Sequence, residues 1–262
     1  MFKKALILVI LLVLLTNVFS VRLIDPVSKE LSQDDSVGAF APGTKMELIF
    51  SKELGRFDTM KLLTVLPGGF APEIKNELES IKLFISLPKN AAIGDYPLAI
   101  EFSGKGSSER IRLNFTVSND LLLVSMNSAF EQKGSVDSAL LYNFQFVNDS
   151  YADVVFSVLP ELPDYWLVKD SRAAPQKPFA LEVTVPKRST KIAALAVYPR
   201  VPGTKEFDST VTFGNKEQKF SLSAVATPTL KSKLDAVFYG LPFYSFSLLP
   251  SYFLSGFLAL LF

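Results

Sequence analysis

The chain has 262 residues, enough for one large domain or two of ordinary size. Its 27 Lys and Arg against 26 Asp and Glu leave a net charge of +1, which argues against a nucleic-acid partner because phosphate binding needs a basic excess. His and Cys both number 0, which excludes thiol nucleophiles, Ser–His triads and zinc sites built on Cys or His.

Residues 1–20 have the layout of a signal peptide. Lys3 and Lys4 supply a basic start, Ala5 to Leu15 is unbroken apolar sequence, and Val18 and Ser20 are small enough to flank a cleavage site. The apolar core falls short of the roughly 20 residues a membrane span needs, so cleavage near Ser20 is expected over retention as an anchor.

From there to about residue 228 the hydrophobic period is two. Met46, Leu48 and Phe50 share one face. Ile81, Leu83, Ile85 and Leu87 share another, as do Tyr96, Leu98, Ile100 and Phe102, and Ile111, Leu113, Phe115 and Val117. Later come Leu140, Tyr142, Phe144 and Phe146, then Leu181, Val183 and Val185, then Phe220, Leu222 and Ala224. Turn signals such as Pro67-Gly68-Gly69 and Pro202-Gly203 separate the runs, and no helical period intervenes. Many short strands of this kind read as β-sandwich.

The stretch also repeats. Val65-Leu66-Pro67 returns as Val158-Leu159-Pro160, and the run Leu83 to Lys89 is echoed by Leu181 to Lys187. Spacings of 93 to 105 residues fit one sandwich per copy. The expected organisation is therefore all-β, with two tandem immunoglobulin-like sandwiches over 21–118 and 119–228. A signal helix over 1–20 and a hydrophobic membrane helix over 234–262 would flank them.

That last segment carries no charge from Ala236 to Phe262, 27 residues, or about 40 Å as a helix against about 30 Å of hydrocarbon. Pro242 and Pro250 are expected to kink or break it. A single span, an interfacial helix and a processed anchor signal are the three fates such a tail has. Ser247, Ser251, Ser255 and Ala259 recur every fourth residue and put small groups on one face, a candidate surface for helix–helix self-association.

The order of an apolar strand, VLP, a large aromatic, a PK-terminated strand and then Gly resembles bacterial and archaeal immunoglobulin-like modules of surface proteins. These modules include the CARDB-type and NPCBM-associated kinds. Matching positions are Pro67, Phe70, Pro88, Gly94 and Tyr96, then Pro160, Trp166, Pro186 and Gly203. The resemblance implies seven-stranded spacer or adhesion units without catalysis. Phe207 stands where a Tyr is expected in the second copy, so a tyrosine-corner hydroxyl is available only to Tyr96.

No residue set points to catalysis, a cofactor or a metal. The acidic pair Asp34-Asp35 lacks calcium-loop spacing and reads as a solvated loop. Asn114 and Asn148 head glycosylation triplets and are expected to be reachable. Tyr165 and Trp166, the latter the sole Trp, are a candidate sugar-stacking pair, against which stands burial of Trp166 in a sandwich core. The leading expectation is a non-enzymatic protein on the extracytoplasmic side of the cell membrane. It would contact lipid through its tail and another surface or membrane protein through edge strands or end loops. An accessory subunit of a secretion- or translocon-type complex and a carbohydrate-binding surface protein are the alternatives.

Overall fold

A computed structural model describes residues 21–52, 57–104, 107–136, 138–163, 166–168, 180–229 and 249–261. They form two compact units. Unit 1 holds the described residues up to Leu122 together with Asp149–Val154 and Pro186–Arg188, and unit 2 holds the others.

Unit 1 is built on β1 (Arg22–Asp25), β2 (Lys29–Glu30), β3 (Asp35–Phe40), β4 (Lys45–Ser51) and β5 (Thr59–Leu62). Then follow β6 (Ala71–Asn76), β7 (Ser80–Ser86), β8 (Gly94–Gly104) and β9 (Ser107–Val117). One sheet has the order β2-β1-β4-β7-β6 and the other β3-β9-β8-β5. The alternation seen in the sequence is what closes the sandwich. Met46, Leu48, Phe50, Ile81, Leu83 and Ile85 from the first sheet share one buried cluster with Leu98, Ile100, Phe102, Leu113 and Phe115 from the second. Early in the chain β1 runs antiparallel to β4, whereas β3 runs parallel to β9 from Asp35↔Leu113 to Phe40↔Val117. A first strand divided between the two sheets, with β1-β4-β7-β6 facing β9-β8-β5, is an immunoglobulin-like arrangement.

Unit 2 repeats the plan with β10 (Leu122–Met126), β11 (Glu131–Ser135), β12 (Leu140–Asn148), β13 (Val154–Pro160) and β14 (Leu167–Val168), the first residues of β10 and β13 being counted with unit 1. It continues through β15 (Leu181–Val185), β16 (Ser189–Tyr198), β17 (Gly203–Phe213) and β18 (Lys216–Thr227). Its sheets are β10-β12-β16-β14 and β11-β18-β17-β13-β15, again with a parallel pair, β11 on β18. Rings fill its core: Phe146 lies 5.1 Å from Phe156, Phe156 5.3 Å from Phe213, and Phe144 5.4 Å from Phe220. Tyr142 stands edge-on to Phe207, and its hydroxyl donates to the Ser223 carbonyl at 2.8 Å, tying β12 to β18.

Pairing corrects one element of the repeat. β7, which carries Leu83 to Ser86, pairs with β4, but the echoing strand β15 is the outermost strand of the opposite sheet, beside β13. The partner of β12 is β16, in register from Leu140↔Val197 to Asn148↔Ser189. The two PK-ended strands look alike because alternating aliphatics followed by a strand-ending Pro describe any half-buried strand, whatever its neighbours.

The two ends are described only in part. The expected signal segment lies outside the described residues. A helix, α1, spans Leu249–Leu261, 13 residues or about 20 Å. It is shorter than the membrane helix expected over 234–262, and residues 234–248 lie outside the described residues. Pro250 is the second residue of this helix, and Pro242, with the stretch before Leu249, lies outside the described residues. Among the described residues no helix is long and apolar enough to cross a membrane.

Candidate functional site

The surface with the most distinctive chemistry is the outer face and free edge of the five-stranded sheet of unit 1. Strand period two turns Lys45, Glu47 and Ile49 of β4 and Lys82 and Phe84 of β7 away from the core. The register then lays them in rows: Glu47, Phe84 and Glu73 in one, and Ile49, Lys82 and Lys75 in the next. Phe84 is the aromatic centre of this face. Lys45 Nζ sits 4.3 Å from its ring centroid and Lys75 Nζ 5.2 Å, a cation–π arrangement.

Charges around the ring are matched. Glu73 lies 3.1 Å from Lys75 and 3.5 Å from Lys45, and Glu77 lies 2.8 Å from Lys82. The hydrogen bond from Lys75 holds the Glu73 carboxyl below its usual range, and that from Lys82 does the same for Glu77. The reciprocal bond raises Lys82. Near the chain turn from β6 to β7, an open groove is lined by Ile24, Ile49, Lys52, Asn76 and Leu78, the last 93% exposed.

Strand β6 closes this sheet on one side, and all six of its residues are exposed. Its hairpin to β7 is locked by the Glu77 N–H donating to the Ser80 carbonyl at 2.9 Å. Backbone groups alternate sides along an antiparallel strand. With Lys75 opposite Lys82 and Glu73 opposite Phe84, the odd-numbered residues bond to β7. Pro72, Ile74 and Asn76 therefore turn their backbone groups to the outer edge, which no further strand covers among the described residues, while the Asn76 side-chain amide donates to the Asp58 carbonyl at 2.5 Å. Pro72 occupies a position whose absent N–H takes nothing from the ladder, the setting in which an edge strand tolerates Pro.

Sequence reasoning missed this site. The signals were present in Phe84, the one aromatic out of phase with Ile81, Leu83 and Ile85, and in the polar alternation Glu73-Ile74-Lys75 after Pro72.

The residues singled out from sequence are dispersed. Asn114 is half-buried on β9, its side-chain amide donating to the Asp34 carbonyl at 3.2 Å. Asn148 is not in a reachable turn. It is fully buried at the end of β12 and donates to the Val185 carbonyl at 3.0 Å, a bond that a glycan on the same nitrogen would displace. Trp166 is 5% exposed and lies 6.3 Å from Phe207 at a steep angle, so its ring belongs to the core and offers no stacking platform. Its Nε1 has no hydrogen-bond partner among the described residues. Tyr165 lies outside the described residues, as does Ser247. Ser251, Ser255 and Ala259 fall within α1, where Ala259 is exposed. Asp35 accepts the Ser32 N–H at 2.9 Å and pairs with Lys29 at 3.3 Å, a loop closed on itself. Among the described residues no three acidic side chains converge as a metal site.

No protein-family model and no curated protein matches the chain. Several solved structures do, at low similarity. An endo-fucoidan hydrolase of glycoside hydrolase family 107 is 12% identical with a TM-score of 0.37; the match covers 76% of this chain and 28% of that one. This chain thus spans less than a third of the hydrolase. A chimeric titin Z1Z2 is 9% identical, TM-score 0.39, over 80% of this chain and 97% of that one. Fibronectin(III)-like modules of Clostridium thermocellum CbhA are 10% identical, TM-score 0.28, over 79% and 94%. The assignment of the fold rests on the strand order and pairing given above.

Proposed function

We propose that this is a non-enzymatic, membrane-tethered protein that presents two immunoglobulin-like units on the extracytoplasmic side and docks a protein along the β6 edge of unit 1. The observation that carries the docking surface is the row of edge-facing backbone groups at Pro72, Ile74 and Asn76, on a strand whose every side chain is exposed. An extended segment added there would satisfy those groups and gain specificity from alternate side chains. The apolar stretches at the two ends of the sequence support export and tethering. Acidic side chains of the β6–β7 face are bound to lysines, which leaves them as recognition groups and not as a convergent acid–base pair.

Two measurements test the reading. A photo-crosslinker replacing Ile74 should give a discrete protein adduct that the same label at Ile192, exposed on β16, does not. Equal labelling from both positions, or none from Ile74, overturns the docking strand. In sealed vesicles the folded units should be cut only by protease added on the non-cytoplasmic side. Recovery of the chain in the soluble fraction would end the tether.

A further inference from the structure

We infer that the occupant of the β6 edge is β6 of a second copy of this chain, antiparallel and two-fold about Ile74. The inference rests on the reading of β6 as the docking strand and adds the partner. Only residues whose backbone groups face the edge can be paired across it, which restricts the registers to those matching Pro72, Ile74 and Asn76 with one another.

Three central registers remain. If Pro72 faces the copy's Ile74, Glu73 falls opposite Glu73. If Ile74 faces Asn76, Lys75 falls opposite Lys75. Like charges directly opposed destabilise a strand pair. With Ile74 facing Ile74, each Glu73 falls opposite the copy's Lys75, twice by symmetry, and the half-exposed isoleucines cover one another. The two Ile74 residues would exchange both of their ladder bonds. Each Asn76 N–H would reach the other chain's Pro72 carbonyl, and the missing Pro72 donor would cost nothing further. A parallel in-register pair would again stack Glu73 on Glu73. Among these three registers, the charges that deter an arbitrary strand from this edge are matched by a copy in one.

The test uses the full chain in detergent micelles, followed by sedimentation. Glu73→Lys and Lys75→Glu should each weaken self-association by about tenfold, since each turns two attractive pairs into repulsive ones. Mixing the two variants should restore association, because all four charges of the mixed pair are then opposite. The double exchange Glu73→Lys with Lys75→Glu should also restore it. Thermal melts of each variant exclude misfolding as the cause. Because the chain has no Cys, Ile74→Cys provides a second readout. Cα atoms of a hydrogen-bonded antiparallel pair lie about 5.5 Å apart, within disulfide range, so oxidation should link two chains through position 74. Ile192→Cys should not link. A monomeric chain without a 74–74 link, or association insensitive to the charge variants, overturns self-pairing. If the Ile74 crosslinker then captures a different protein, self-pairing has failed while the docking strand stands. If it captures nothing, both have failed.

Discussion

Tyr96 donates its hydroxyl to the carbonyl of Ala92, four residues upstream, at 2.7 Å. The ring stacks 5.3 Å from Phe115 and lies 5.2 Å from Phe70, so one side chain pins the turn into β8 to the core of unit 1. This is the tyrosine corner expected of such sandwiches. Tyr96→Phe keeps the ring and removes only the bond, and should lower the stability of unit 1 by about 1 kcal/mol. A denaturant titration in which the variant and the parent share a midpoint would refute that role.

Gly38 and Gly94 separate two costs of a side chain. Both have positive φ, +119° and +149°. A Cβ on Gly38, at the β3 bulge, would stand 2.5 Å from the Tyr151 ring within unit 1, whereas one on Gly94 would meet nothing within 4 Å. Gly94→Ala should cost about 1–3 kcal/mol of backbone strain alone. Gly38→Ala adds overpacking of a further 1–3 kcal/mol or so and should be the worse of the two. Equal melting temperatures would show that Tyr151 yields freely.

Trp166 is the single Trp, so its emission reports one site. Burial beside Phe207 should shift the emission to the blue and shield it from iodide, and added sugars should leave it unchanged. Its Nε1 makes no hydrogen bond among the described residues, so Trp166→Phe should lose only packing, well short of the roughly 3–5 kcal/mol expected for Trp166→Ala. Red emission open to quenching would place the ring at the surface and revive the sugar-binding alternative.

Much of the architecture was legible in the period-two runs, because a buried sheet face writes itself directly into alternating side chains. Met46-Leu48-Phe50 and Ile111-Leu113-Phe115 are buried as read. Strands without that contrast were not legible. β6 is exposed throughout, and much of β17 is Thr and Ser, with Ser209 and Thr210 buried in it. Which strand pairs with which was the harder question. The resemblance of β7 to β15 misled because local pattern encodes burial, while neighbours are set by the whole chain. Asn148 shows the same limit. A polar triplet near a turn gives no sign that its first residue spends its amide on a carbonyl inside the core.

The last prediction concerns pH. Glu109 shares the inward phase of Ile111 and Leu113 on β9, and its Oε2 is buried without a partner among the described residues. Desolvation pushes its carboxyl above the usual range, so the folded chain holds this proton more tightly than the unfolded chain. Its contribution to stability therefore rises as pH falls through the folded value towards the ordinary one near about 4.3. Asp35 acts in the opposite sense. The Ser32 N–H lowers its pKa, and the stability it lends is present above about 4 and lost as pH falls through the folded value. Glu109→Gln should therefore stabilise unit 1 at neutral pH and flatten the upper part of a melting-temperature profile. Asp35→Asn should flatten only the acid limb. A Glu109→Gln chain that melts lower than the parent at neutral pH would mean that the carboxylate is stabilised by a group it does not meet among the described residues.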